Sequence, residues 1–377
     1  MELGLSSDQE LLRETAARFI DATCPLPMVR ELIGSESDLP AGYLGRAGEL
    51  GWFALLVPEE LGGGSVSGEG LRDLAIIAEE RGRALQPGPF VGMNVVAAAL
   101  STAGTPEQQA RILPCIRAGE ATATWVFGDA VAGPVPGVSV TATPQGEGFT
   151  ISGQARPVPG ALGADWLLVS TDGDNGVSQF MVDAISPGIT VTPLEALDVT
   201  QRYGSVSFDD VVVPVTSAIG HPGGADRDVE VQLQLACVLS TTETVGAMDA
   251  LFELTRRYAL DRTAFGRPIG SFQAVKHQLA DLSLALEASK AVAAAAVRAV
   301  QEDRKEAGEV VSMAKSWVAD AGIDLAQGCA QVFAGIGFTW EHDLHLFLRR
   351  ITMNGVLFGQ PDWHRERICR AHGLSQR

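Results

Sequence analysis

The chain has few cysteines, little positive charge and no long apolar run, and each shortage excludes something. Five cysteines in 377 residues are an odd, scattered set in no metal-ligand spacing. A disulfide framework and a cysteine zinc site are not expected, and a reducing, cytoplasmic setting is. Lysine and arginine number 28 against 46 aspartates and glutamates, a net charge of −18. Such an acidic protein is a poor partner for nucleic acid or an anionic membrane, and any anionic ligand needs a local cationic pocket. The alanine-rich stretch 291–300 is too short to cross a bilayer, contains Arg298 and lies between Lys290 and Glu302. The first residues lack the basic start and apolar core of a signal peptide. There are no internal repeats and no low-complexity tracts.

What is present is a globular composition, 46% hydrophobic and 20% charged, in a chain long enough for two or three domains. Residues 1–119 read as helical. Ser7 and Glu10 have capping-box spacing, and Leu11, Leu12, Ala16, Phe19 and Ile20 then fall on one helical face. The run Pro58–Ser65 reads as a glycine-rich turn. From residue 121 to about 215, Val, Thr, Gly and Pro replace helix formers, in short β-like runs beginning with 137–142 and 148–152. Helical periodicity then returns, with helices expected over 228–260, 271–302, 306–332 and 343–357. The expected fold class is therefore a multidomain α+β protein. An N-terminal helical domain (1–119) precedes a small antiparallel β-barrel or sandwich (120–220) and a C-terminal four-helix bundle (221–377).

The most informative stretch is the elbow between the first two bundle helices, 257–281. Gly266, Pro268 and Gly270 interrupt the helical pattern, and the break is unusually polar. Arg262 offers a fork of donors suited to phosphate, and Gln273 adds an amide at a helix start, where an anion is favoured. An arginine at a helix end also serves as a C-terminal cap, so the elbow alone leaves both readings open.

The run Arg262, Phe265, Gly266, Ile269, Gln273 resembles the acyl-CoA dehydrogenase signature, roughly R-x-x-F-G-x-x-[IL]-x-x-x-Q. Residues 331–338, QVFAGIGF, resemble the family's Q-x-x-G-G-x-G-[YF], with Ala334 in place of the first glycine. The V-P-E-x-x-G-G pattern at 57–63 and the helical–β–helical order are family-like too. The resemblance implies FAD as cofactor. Arg262, Phe265, Gln273, Gln331 and Gly335 would hold the ADP half of an FAD bound mainly to a neighbouring subunit. It also implies an acyl-CoA substrate, α,β-desaturation of its thioester, and an electron-transfer flavoprotein as acceptor.

Other family features are missing. Residues 125–133 replace the expected T-E-P-x-x-G-S-D. In the segment after Gly153, Pro157 and Pro159 stand where the family has a Trp and a flavin-contacting hydroxyl. Of the family's two places for the catalytic glutamate, one is matched here by Phe358 before Gly359 and the other by Ala236. The nearest carboxylate is Glu243, about two helical turns or roughly 10 Å beyond Ala236. It reads equally as a base and as an ion-pair partner. His342 and His345 are spaced i, i+3 without a further ligand, so no metal is expected; Asp343 reads as a helix cap. The dense ionisable run 339–350 resembles actinobacterial-type members acting on bulky acyl groups such as steroid side chains.

Intact ADP-side residues beside a damaged ring side resemble the α2β2 members of the family, in which one subunit type is catalytic. The chain is thus expected to complete the FAD site of a paralogous dehydrogenase subunit. The alternatives are a homotetrameric enzyme using Glu243 and a non-catalytic acyl-CoA- or partner-binding protein.

Overall fold

The computed structural model describes residues 4–128 and 139–374. Six helices come first: α1 (Ser7–Thr23), α2 (Leu26–Glu31), α3 (Tyr43–Glu49), α4 (Gly70–Arg83), α5 (Phe90–Ala103) and α6 (Pro106–Arg117). The capping box of α1 sits one residue earlier than expected. The Ser6 hydroxyl accepts from the Gln9 amide, and the Gln9 side chain accepts from the Ser6 N–H. Phe19, Tyr43, Trp52 and Phe90 form the aromatic centre of this layer.

Seven strands and a short eighth follow: β1 (Ala123–Val126), β2 (Val140–Gln145), β3 (Gly148–Pro159), β4 (Trp166–Thr171), β5 (Ser178–Asp183), β6 (Ile189–Leu194), β7 (Tyr203–Pro214) and β8 (Ala218–Ile219). They form two open four-stranded sheets, ordered β1-β4-β5-β8 and β2-β3-β7-β6, rather than a closed barrel. The β1–β4 pair is parallel, which corrects the all-antiparallel expectation. The physical reason is connectivity: β2 and β3 lie between β1 and β4 in sequence but belong to the other sheet, so no hairpin forces the two antiparallel. One apolar core fills the space between the sheets, including Val126, Ile151, Val169, Phe180 and Val206. Pro157 sits in an irregularity of the β3–β7 pairing between Ala155 and Val158, where a missing N–H breaks no regular ladder bond. Residues 137 and 138, the start of the first expected strand, lie outside the described residues.

Among the described residues the C-terminal layer has five helices, not four. They are α7 (Asp226–Asp261), α8 (Gln273–Gln301), α9 (Ala307–Phe333), α10 (Leu344–Val356) and α11 (Pro361–Ala371). Helix α11 starts on a proline, whose missing N–H costs nothing at a first helical position. Helix α7 is long and apolar enough to cross a membrane, but 83% of its apolar window is buried inside the fold, as in a core helix. It crosses α4 at a pair of glycines. A Cβ on Gly82 would lie 1.9 Å from the Glu243 carbonyl oxygen, and one on Gly246 would lie 2.0 Å from that of Glu79. Larger residues there would force the helices apart. This close crossing sets Glu243 deep in the molecule, against the loop that follows α4.

Candidate functional site

Two groups of residues emerge at opposite ends of the α7 stretch that follows Glu243. At its C-terminal end, Arg262 caps α7 with extended backbone, and its carbonyl accepts from the Ile269 amide at 2.8 Å, closing the elbow. Thr263–Ala264 and Arg267–Pro268 pair as a two-residue hairpin. Its tip residues, Phe265 and Gly266, both have positive φ, as a tight hairpin turn demands. The Phe265 ring is 95% exposed. Gln273 opens α8 and is exposed; Gln331 lies in the last turns of α9, and Gly335 in the 3-10 turn after it, both also exposed.

Tyr258 and Phe333 are in ring contact at 4.6 Å, so the elbow and the end of α9 share one end of the bundle. The side chains of Arg262, Gln273 and Gln331 have no hydrogen-bond or ion-pair partner among the described residues. A Cβ added at Gly335 would meet nothing within 4 Å of this chain. Ala334, at the place of the motif's first glycine, holds φ 53° and ψ −136°, a conformation that normally needs glycine. An exposed guanidinium, two free amides, an open glycine and bare aromatic rings (Phe338 is 81% exposed) fit the nucleotide half of a dinucleotide.

Glu243 lies 19 residues earlier on α7, roughly 28 Å away along the axis, and belongs to a different environment. It is 8% exposed, and its Oε1 accepts from Arg350 Nη1 at 2.9 Å. Arg350, on α10, is fully buried. It also donates to Asp198 at 2.5 Å, to the Thr200 hydroxyl at 2.7 Å and to the Gln86 carbonyl at 3.0 Å. Burial alone would lower the Arg350 pKa, but Asp198 and Glu243 outweigh it and hold the guanidinium charged. Burial, then Asp198, raise the Tyr203 phenol far above its ordinary range. One arginine thus ties the loop after α4, the linker before β7, and α7 to α10. The sequence hid this hub inside an ionisable run; the available signal was an arginine followed by Ile351 and preceded by Leu346 and Phe347.

Glu243 also edges onto a cavity of about 30 Å³, beside Arg81, Trp125, Pro159, Ser240 and Phe358. Trp125, Pro159 and Phe358 come from the segments matched to the flavin-ring contacts and the catalytic base, and Ser240 lies one turn after Ala236. Residues 129–133 of the first segment lie outside the described residues. The Thr124 hydroxyl is spent on the Pro159 carbonyl at 2.7 Å. Cys237, next to Ala236, has its thiol 3.6 Å from the Phe358 carbonyl, so the two positions matched to the base converge with no carboxylate at either. A cavity of that size holds one or two waters and does not fit a three-ring flavin. The nucleotide end fits FAD; the ring end does not.

The Asp343 carboxylate pairs with Arg30 of α2 at 2.8 Å rather than capping α10. His342 Nδ1 accepts the Leu344 N–H instead, at 3.1 Å, and burial lowers its pKa. Among the described residues no group of three His, Cys, Asp or Glu side chains could hold a metal.

A helical–β–helical fold with a nucleotide-ready end on its bundle defines the scaffold of a flavin-dependent oxidoreductase. Residues 6–120 match the acyl-CoA dehydrogenase N-terminal domain, and residues 228–373 match the acyl-CoA dehydrogenase C-terminal domain. The chain is 31% identical over 358 residues to the acyl-CoA dehydrogenase IpdE2 of Mycobacterium tuberculosis, covering 94% of each protein. It is 29% identical over 359 residues to IpdE2 of Mycolicibacterium smegmatis, covering 95% of this chain and 96% of that protein. The solved ChsE4-ChsE5 complex from Mycobacterium tuberculosis superposes with a TM-score of 0.89 at 25% identity, over the whole of both chains. The chain belongs to the acyl-CoA dehydrogenase family of oxidoreductases, whose cofactor is FAD.

Proposed function

We propose that this chain is the non-catalytic subunit of a heteromeric acyl-CoA dehydrogenase, one that completes the FAD site of a paralogous catalytic partner. The observation that carries this reading is the contrast within the site: Arg262, Gln273 and Gln331 stand exposed with free donors, while the ring cleft holds about 30 Å³ and no uncommitted carboxylate. Arg262 would meet the cofactor pyrophosphate through charge-assisted bonds, with Gln273, Gln331 and the open Gly335 around it and Phe265 against the nucleotide. The chemistry FAD would supply, bound in the partner, is acceptance of hydride during acyl-CoA desaturation. This chain's part is to bind and orient its nucleotide end. The ChsE4-ChsE5 neighbour, solved as a complex of two proteins, supports a two-subunit assembly, and the IpdE2 relatives support an acyl-CoA substrate for the assembled enzyme. An electron-transferring flavoprotein is the acceptor we expect.

A second reading keeps the chain catalytic, with Glu243 as base. It is favoured because Glu243 reaches the cavity wall, and opposed because the carboxylate is engaged by a buried arginine. The test is Arg262→Ala in the assembled complex. Losing a charge-assisted bond worth roughly 1.5–3 kcal/mol should weaken FAD binding by about ten- to a hundredfold with assembly unchanged. Unaltered FAD affinity would remove the elbow from the cofactor site and this reading with it.

A further inference from the structure

We propose that Trp125 and Phe358 form a fixed aromatic plug in the cleft matched to the flavin ring, and that His364 is the residue that positions it. The rings of Phe127, Trp125 and Phe358 stack in sequence. Centroids are 4.6 Å apart for the first pair and 6.1 Å for the second, with interplanar angles of 30° and 14°. They leave only the water-sized remnant described above.

Two of the three stacked residues, Trp125 and Phe358, are tied down by hydrogen bonds. The Trp125 indole N–H donates to the Ser170 hydroxyl at 2.9 Å. Ser170 in turn accepts from the Gln179 amide at 2.9 Å, and Gln179 exchanges reciprocal amide bonds with Gln232 of α7 at 2.6 and 2.8 Å. Trp125 is therefore clamped between the β1-β4-β5-β8 sheet and the bundle. At the other end, the Phe358 carbonyl lies 3.2 Å from His364 Nε2 and 3.6 Å from the Cys237 thiol. Burial first, then Lys315 and Arg367, push the His364 pKa down to about 3, so the ring is neutral. A carbonyl can only accept, so Nε2–H donates to Phe358, leaving Nδ1 as the unprotonated nitrogen of the neutral ring, 3.2 Å from the Ser312 Oγ, whose own hydrogen goes to the Gly308 carbonyl at 2.8 Å. Phe358 has φ 60° and Gly359 φ 114°, and a Cβ on Gly359 would come within 2.5 Å of Trp363 and 2.8 Å of His364. The turn after α10 is thus drawn hard against α11, and the Phe358 backbone that carries the ring cannot move away without stranding the buried His364 N–H. Both ties reach α7, so the plug is part of the packing and not a side chain at rest in an open pocket.

This inference rests on reading the cleft as the flavin-ring position, and its test leaves the nucleotide face untouched. Lumiflavin, the ring system without ribityl or ADP, is titrated against the full chain and followed by quenching of its fluorescence. The wild type should show no saturable binding. Phe358→Ala should bind saturably, as should His364→Ala, whereas His364→Gln, which can still donate to the carbonyl, should stay closed like the wild type. If Phe358→Ala does not melt cooperatively, Phe358→Leu takes its place. Saturable lumiflavin binding by the wild type would overturn the plug, as would folded Phe358 variants that remain closed. A closed His364→Ala would overturn the positioning role. A failure here leaves the Arg262→Ala result standing, and the reverse also holds.

Discussion

The elbow after α7 and the cleft beside Glu243 were built by the same helix to opposite rules. At the elbow, Phe265 is 95% exposed and Arg262 has no protein partner among the described residues, a costly arrangement in an isolated subunit. At the cleft, Arg350 is engaged by Asp198 and Glu243, Thr124 by the Pro159 carbonyl and Trp125 by Ser170, while the buried Arg81 Nε has no partner among the described residues. Uncommitted groups on a surface are there for something outside the chain. Committed groups in a core have finished their work on folding. The difference is what a site divided between two subunits would require: exposed donors at one end of α7 and engaged side chains at the other.

The sharpest way to break the committed half is Arg350→Met. It removes the shared counter-ion of Asp198 and Glu243 and leaves two buried carboxylates without their cation, which should cost about 3–5 kcal/mol. The denaturant midpoint should fall accordingly. A change within about 0.5 kcal/mol, the scatter of ordinary surface substitutions, would show that the hub is not buried as described.

Acid sharpens the contrast next. His364 stays neutral in the folded protein down to about 3, below its ordinary 6.5, because of burial and then Lys315 and Arg367. The unfolded chain binds the proton first, so the His364 contribution is complete above about pH 6.5 and drains away as pH falls toward 3. By pH 5 this amounts to about 2 kcal/mol. Unfolding of the wild type and of His364→Gln, compared between pH 7 and about 5, should show the variant losing less stability. Parallel losses would mean that His364 titrates normally.

The smallest effect expected is that of Glu243→Gln. The amide still accepts from Arg350, so stability should drop by only about 1 kcal/mol and turnover of the assembled enzyme should stay within a few-fold. A loss of roughly 10²–10⁴ in rate with FAD retained would make Glu243 the base and this chain catalytic.

The two halves were also unequally legible in the sequence. Arg262, Phe265 and Gln273 lie within one short run, so the elbow could be matched to a family signature, although the run alone left a helix-cap reading open. The layer order was readable from changes in period. The Arg350 hub was not, because its partners Asp198 and Glu243 are 152 and 107 residues distant. Nor did the run of residues after Leu357 announce α11, because Pro361 reads as a breaker until its first-turn position is known. His364 gave no signal at all: a lone histidine becomes informative only when the carbonyl it holds is known. The parallel β1–β4 pair needed the crossover through the second sheet, which no local pattern encodes.

The central claim is that this chain lends a nucleotide-binding face and holds no flavin ring of its own. Counting FAD per subunit by absorbance, first in the chain purified alone and then in its complex with the catalytic partner, tests it most directly. Essentially no flavin is expected in the chain alone, and half a flavin per subunit in the complex. One flavin per subunit in the chain alone would contradict it.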